Sequence, residues 1–558
     1  MSQATTFFEL GRTPPTGQGT KLIDYRHKKA LVVDDYPSMR TAFKMALASF
    51  GMTKVDVAAS AAEAIGRVKT VVYDIIICDY NLGEGRDGQQ LLEEMRHDYL
   101  IGLETVFLMV TAESVYQRVV AAAELAPDDY LIKPFNGEIL RTRLDAILAK
   151  KEAFADVYRH FANEDLEASM AACDVLMKQQ PKYFVDALRF KGEILIAMGD
   201  FEGAEAIYRQ VTAMRAVPWS RLCLARALHL QRKEAAAEEI LLDLVEQNPE
   251  LVASYDLLAD VQVAQDKLGD AQSTLQRGVE VSGKSPRRQR RLGEVAYQNN
   301  DLKTAETAFK AAVDKGRNSI FQGANDFANL CRVHLDQGDT KAAAEVIAKN
   351  RKLLQESDEG KLVSAVVLGQ INERNGRYGE ARTQMTEAAA LLRRGIQCEP
   401  EMALGMVETC VKVGMDEEAA AVLSEVARNG HDSAALLEKA KRIYQEAGKE
   451  AAVAQILQQS TERVATLSKE GALLLQRGDL KNGVAKLLLA ATEAPRNPRV
   501  LMNTTWAIVR LIEQDGDSGD MLAQAKRLLD DVAYLAPGHP RLADLRTSLR
   551  NIGSQRTA

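Results

Sequence analysis

The stretch "LVVDDYPSMR", residues 31–40, sets three apolar residues directly against two adjacent carboxylates, Asp34 and Asp35. Leu31, Val32 and Val33 read as a buried strand with the acids at its end. Like charges side by side repel, and burying them costs several kcal/mol. The pair therefore calls for an opposite charge nearby, and the surrounding sequence offers candidates.

From 28 to about 150, apolar runs of strand length recur at KALVV (29–33), VDVAA (55–59), DIIIC (74–78), TVFLMV (105–110) and DYLIK (129–133). Helical segments separate them, at roughly 37–50, 61–69, 88–97, 114–124 and 137–150. Alternating strands and helices with continuous apolar strands imply a parallel sheet covered on both faces. In such a sheet the site lies beyond the carboxyl ends of the strands. There the first strand ends in Asp34 and Asp35, the third in Asp79, the fourth in Thr111 and the fifth in Lys133. Three converging carboxylates suit Mg2+, a hard cation held by few carboxylates and several waters. Lys133 adds a positive charge and Thr111 a hydroxyl, both useful to a phosphoryl group. A carboxylate nucleophile beside Mg2+ and a lysine is a layout for an aspartyl-phosphate.

Residues 28–150 resemble the receiver domain of two-component response regulators, an α/β flavodoxin-like (βα)5 fold. The resemblance implies that Asp79 is the phosphoacceptor. It implies that Asp35 binds Mg2+ directly, that Asp34 acts nearby through water, and that the backbone carbonyl of Asn81 joins Asp79 as a further ligand. Lys133, followed by Pro134 and Phe135, would bind the phosphoryl oxygens. Thr111 would be the switch hydroxyl, with small Ala112 leaving access, and Tyr130 the switch aromatic. The implied phosphodonor is a sensor histidine kinase or a phosphotransfer protein. One departure stands out: 81–88 reads NLGEGRDG, a loop one residue longer than in many relatives, with Gly83 where they carry Pro. Asn81 and Glu113, two residues beyond Asp79 and Thr111, are expected to tune how water attacks the acyl-phosphate.

After 150 the strands stop and the chain reads as helix. Small residues recur at Ala204, Ala237, Ala271 and Ala305, each four residues before a large one, Tyr208, Leu241, Leu275 and Phe309. Gly192, Ala225, Ala259 and Gly293 precede them, and Ala343, Ala381 and Ala419 extend the series. Turn residues stand at Gly338, Gly376, Gly414, Gly448 and Gly478, and Pro181, Pro218, Pro249 and Pro286 are expected to mark unit ends. This register resembles the tetratricopeptide repeat, an all-α superhelical solenoid of stacked helix pairs. One pair cannot bury its apolar face alone, so the pairs must stack. About ten or eleven units are expected. The resulting division is a flexible segment 1–27, a receiver 28–150, repeats 153–550 and a tail 551–558.

The chain has 558 residues, too many for one ordinary domain, with 46% hydrophobic and 27% charged residues. Its net charge of −7 gives no support for a nucleic-acid or membrane-surface partner. Cys78, Cys173, Cys223, Cys331, Cys398 and Cys410 form no CxxC pair, so neither a zinc site nor a disulfide framework is suggested. No run approaches the ~20 apolar residues of a membrane span, and a cytoplasmic location is expected. Cys78 is expected to be buried, Asp74 to be a solvated strand-start residue, and the basic run SPRRQRRLGE (285–294) to form a solvated or peptide-facing surface. Between Gly137 and Asn163 there is no Gly or Pro, so the last receiver helix is expected to run into the first repeat helix with little or no linker. Apolar residues there fall at alternating spacings of four and three, which could also form a homodimer seam. The expected function is a phosphorylation-controlled response regulator that signals through protein or peptide binding by its repeat groove. The alternative is an adaptor or anti-adaptor that delivers or sequesters a regulator with little dependence on phosphate.

Overall fold

The computed structural model describes residues 23–83, 85–112, 127–283, 285–317, 319–516 and 520–536, with scattered positions from 541 to 552. The expected helix at 114–124, Glu113, most of the segment 1–27 and all of the tail 551–558 but Ile552 lie outside the described residues.

Five strands form one sheet: β1 (Lys29–Val33), β2 (Lys54–Ala58), β3 (Ile75–Asp79), β4 (Val106–Ala112) and β5 (Asp129–Lys133). Their order is β2-β1-β3-β4-β5 and every pairing is parallel. Successive side chains of a strand point to opposite faces. Leu31, Val33, Ile76 and Cys78 pack with α2 (Ala61–Val68) and α3 (Gly88–His97). Ala30, Val32, Ile75 and Ile77 pack with α1 (Pro37–Ser49) and α4 (Gly137–Ala153). Both faces are thus covered, which is why the strands read as unbroken apolar runs. Because β1 has β2 on one side and β3 on the other, the connections leave it in opposite directions. The carboxyl ends of β1 and β3 therefore border the crevice where α/β folds place their ligands. This is the flavodoxin-like arrangement expected from the sequence.

The chain divides into two compact units, residues 1–322 and 323–558. The first contains the sheet and five helix pairs: α5 (Ala155–Ala162) with α6 (Leu166–Gln179), α7 (Phe184–Met198) with α8 (Phe201–Met214), α9 (Pro218–Leu230) with α10 (Glu234–Gln247), α11 (Val252–Ala264) with α12 (Leu268–Val281), and α13 (Pro286–Gln298) with α14 (Leu302–Gly316). Phe154 alone separates α4 from α5. The second unit opens with α15 (Ala324–Asp336) and α16 (Thr340–Lys349), followed by the short α17 (Arg351–Gln355). It continues through α18 (Asp358–Arg374) with α19 (Tyr378–Arg393) and α20 (Pro400–Lys412) with α21 (Asp416–Asn429). Then come α22 (Ala434–Glu446), α23 (Glu450–Gln476) and α24 (Leu480–Glu493), and finally α25 (Pro498–Asp515) with α26 (Asp520–Leu535). At 27 residues, α23 is long enough to close one pair with α22 and open the next with α24.

One left-handed residue sits in each turn within a pair. These are Glu164, Gly199, Arg232, Asp266 and Asn300 in the first unit and Gly338, Gly376, Gly414, Gly448, Gly478 and Gly516 in the second, with φ from 60° to 83°. That makes eleven pairs among the described residues. In most of these turns the following N–H reaches back to close the helix, as from Lys233 to the Leu228 carbonyl (2.9 Å) and from Arg377 to that of Asn372 (2.8 Å). Among the described residues, five of these turns place an aspartate next whose carboxylate caps the following helix: Asp165, Asp200, Asp301, Asp339 and Asp479. Two adjacent residues thus stop one helix and start another, which is what a tight antiparallel pair requires.

The small-against-large register is the packing seam. Ala204, Ala237, Ala271 and Ala305 are fully buried. A Cβ on Gly192 would lie 2.6 Å from the Tyr208 ring, and one on Gly293 would lie 2.6 Å from the Phe309 ring. Only glycine lets the two helices approach that closely. Pro218 and Pro286 occupy the first turns of α9 and α13, so they open helices where unit ends had been expected. Proline suits that position because its missing N–H would be unpaired there anyway.

Candidate functional site

The strand ends bring three carboxylates together. Asp34 follows β1 and is 1% exposed, Asp79 closes β3 at 8%, and Asp35 is half-buried. One oxygen from each lies within 4.8 Å of the others. The backbone around Asp34 is fixed: its N–H donates to the Ala58 carbonyl (3.2 Å), and its own carbonyl accepts from Arg40 Nη1 (2.5 Å). Asp34 Oδ1 accepts the Tyr36 N–H at 2.8 Å. Lys133 Nζ stands 2.9 Å from Asp79 Oδ2 and 3.5 Å from Asp34 Oδ2. Its peptide bond to Pro134 is cis.

Among the described residues, the buried oxygens Asp34 Oδ2 and Asp35 Oδ1 accept no hydrogen bond. Burial pushes the Asp79 carboxyl above its ordinary pKa; Lys133 opposes this, and Asp34 and Asp35 add to it. Burial pulls the Lys133 ammonium down, but Asp79 and Asp34 outweigh it and the net shift is upward. Three carboxylates share one lysine, and buried oxygen atoms are left over. An all-oxygen donor set of this kind fits a hard divalent cation.

Thr111 is buried one residue beyond Val110, the strand partner of Asp79, and its hydroxyl donates to the Ala112 carbonyl (3.4 Å). Tyr130 pairs with Met109 and is buried in the apolar cluster on the face of the sheet that α2 and α3 cover. Asn81 is exposed, and its side chain accepts the Gly83 N–H at 3.4 Å. The departure at Gly83 has a backbone cause. Its φ is +76°, which proline cannot adopt, and a Cβ there would lie 3.3 Å from Asp35 Oδ2.

Sequence reasoning missed two residues. Arg40 clamps the Asp34 carbonyl, and its position six residues on, in α1, was the available signal. Gly88 starts α3 so close to Asp79 that a Cβ would lie 2.3 Å from the Asp79 carbonyl oxygen; the signal was the DG at 87–88. Cys78 is buried as expected, with burial pushing its thiol well up. Asp74 is half-buried, paired with Lys28 at 2.9 Å and accepting the Lys29 N–H. The basic run is not simply a solvated surface. Arg288 is 4% exposed and grips both oxygens of Asp256 at 2.7 Å, and Arg291 meets Asp260 at 3.0 Å.

The sequence profile of the response regulator receiver domain matches residues 30–145. Tetratricopeptide repeat profiles match 186–217 and 327–349. The chemotaxis protein CheY-3 of Vibrio cholerae is 30% identical over 125 residues, covering 22% of this chain and 95% of that protein. The chain belongs to the response regulators. CheY of Pseudomonas aeruginosa is likewise 30% identical to this response regulator, over 122 residues, 22% of this chain and 97% of the other. A solved structure of the chemotaxis response regulator CheY4 of Vibrio cholerae is 29% identical, covers 22% of this chain and 98% of its own, and has a TM-score of 0.20. Receivers of this family catalyse their own Mg2+-dependent phosphotransfer, and this chain joins such a receiver to tetratricopeptide repeats. Among the described residues no helix is long and apolar enough to cross a membrane.

Proposed function

We propose that Asp79 accepts a phosphoryl group from a sensor histidine kinase or phosphotransfer protein, and that the repeats at 153–550 then bind or release a protein partner. The observation that supports this is the charge imbalance: among the described residues Asp34, Asp35 and Asp79 face one lysine, which stands 3.5 Å from Asp34 Oδ2 and leaves Asp35 Oδ1 without a hydrogen bond. Asp34, Asp35, Asp79 and the Asn81 carbonyl are the residues we assign to Mg2+, which when bound would offset charge building up on the phosphoryl oxygens. An Asp79 oxygen forms the new O–P bond as the donor's bond to phosphorus breaks, and that bonding pair leaves with the donor. Lys133 holds a phosphoryl oxygen, and Thr111 and Tyr130 respond to the new group. On this reading the receiver spans 28–150 and the protein works in the cytoplasm.

The test uses acetyl phosphate with and without Mg2+, with intact-mass detection of the phosphoryl group and pull-down of partners. Wild type should gain the group only with Mg2+ and change the partners it captures. Asp79→Asn should do neither, and Asp35→Ala should lose Mg2+-dependent phosphorylation while its repeats keep their helical circular dichroism. Equal capture by wild type and Asp79→Asn in every condition would falsify the switch.

A further inference from the structure

Among the described residues of the first unit the receiver meets the repeats in two places. The first meeting is at the junction. Phe154, buried between α4 and α5, packs with Tyr158 and Phe190, and Leu103 of the receiver lies against the same cluster. The second meeting comes at the fifth helix pair. The His97 ring, at the end of α3, stands edge-on to Phe321 at 6.0 Å and 89°. Phe321 is held from the repeat side. The Arg287 guanidinium lies over its ring at 5.0 Å, and Arg290 Nη2 donates to its carbonyl at 2.6 Å. Beside this contact is a cavity of about 290 Å³, walled by Tyr80, Asp87 and Glu93 of the receiver and by Pro286, Arg317 and Phe321 of the repeats.

The receiver side of this contact is the segment that leaves Asp79. Tyr80 follows the phosphoacceptor directly. Its N–H donates to the Val110 carbonyl and its carbonyl accepts the Gly88 N–H, both at 2.8 Å. Gly88 rests on the Asp79 carbonyl so closely that a Cβ would lie 2.3 Å from it. Close-packed contacts of this kind pass on a displacement with little slack. Asp79, Gly88, α3 and His97 therefore form one mechanical line from the acidic pocket to Phe321. The left-handed Gly83 and Gly85 lie in the loop alongside it and give it room to bend.

We propose that the edge of the fifth helix pair around Phe321 is a docking surface for the receiver's own α3 and preceding loop, and that phosphorylation of Asp79 opens this clasp. Opening would free the edge near 286 and 321 while the Phe154 junction holds. The opening step rests on the phosphorylation reading above; the contact itself does not.

Hydrogen–deuterium exchange on the full chain tests both parts, followed in peptides containing α3 and residues 319–322. Phe321→Ala, without any phosphodonor, should speed exchange in both places roughly three- to tenfold, the factor one aromatic contact supplies. His97→Ala, altering an exposed side chain, should do the same and guards against a folding defect in Phe321→Ala. Acetyl phosphate with Mg2+ should produce the same change in wild type. If neither variant alters exchange in α3, the clasp is overturned. If intact mass shows phosphorylated Asp79 with unchanged exchange, the clasp's response is overturned while the proposed function stands. If wild type gains no phosphoryl group, the proposed function and the opening step fail together, and the two variants alone decide whether the contact exists.

Discussion

Glu193 in the repeats and Asp34 in the receiver are both buried carboxylates, and the fold treats them in opposite ways. Glu193 is fully buried, yet each oxygen has a donor: the Tyr208 hydroxyl at 2.7 Å and Arg226 Nη1 at 3.0 Å. Asp34 has one oxygen on a backbone N–H and the other without a hydrogen bond, 3.5 Å from a lysine that it shares with two further carboxylates. A buried charge with its donors supplied inside the protein is structural. One left short of positive charge is poised for something that arrives from outside.

The sharpest way to break this contrast is Glu193→Ala. It removes the buried ion pair with Arg226 and the acceptor of the Tyr208 hydroxyl, and should cost roughly 3–5 kcal/mol in urea unfolding. A loss well under 1 kcal/mol would mean that the two carboxylates are not so different. Asp35→Asn tests the other side. In chelator its stability should stay within about 0.5 kcal/mol of wild type, since it removes one of three repelling charges. Wild type should gain about 2.7 kcal/mol with Mg2+ at a hundred times its dissociation constant, and the variant should lose that gain. Melting curves with and without Mg2+ give both values.

Gly293→Ala probes the seam behind the repeats' self-sufficiency. Its methyl would meet the Phe309 ring at 2.6 Å, so overpacking should cost about 1–3 kcal/mol. The smallest effect belongs to Glu205, which bridges adjacent pairs through Lys233 at 2.9 Å. That lysine, with Arg209 and Gln231, holds its carboxyl down at about 2. A depressed carboxyl stabilises above its unfolded pKa of about 4.3 and loses that stabilisation as pH falls toward 2. Glu205→Gln should therefore lower stability by less than about 1 kcal/mol at neutral pH and flatten the acid limb between about pH 4.5 and 2. An acid limb as steep as that of wild type would remove Glu205 from the account.

The strand ends could be read in the sequence because apolar runs fix where a strand stops. Asp34, Asp35, Asp79 and Lys133 can be placed at strand ends on that pattern alone. The small-against-large seam was equally plain, since glycine opposite tyrosine or phenylalanine has a steric meaning. Turn chemistry was legible only in part. Glycine announces the left-handed turn at Gly338 or Gly376, but Glu164 and Arg232 take the same conformation with nothing local to advertise it. There the paired helices decide the backbone against its own preference. The basic run misled because its partners are distant: Asp256 lies 32 residues before Arg288, in the preceding pair. Tyr130 matched a motif, yet the face of the sheet on which it is buried depends on the strand register.

The long helix α23 carries a consequence for taking the molecule apart. At 27 residues it is about 40 Å long and serves two pairs at once. Most neighbouring pairs meet at a loop, so the chain could be shortened there by whole pairs, as beads are removed from a string. Between 450 and 476 there is no such joint. A cut there would leave half a helix with its apolar face bare on one fragment or the other. A shortened chain that keeps α22 must therefore also keep α24. The two pairs that share α23 are inherited, lost or transplanted together, with that helix as their common spine.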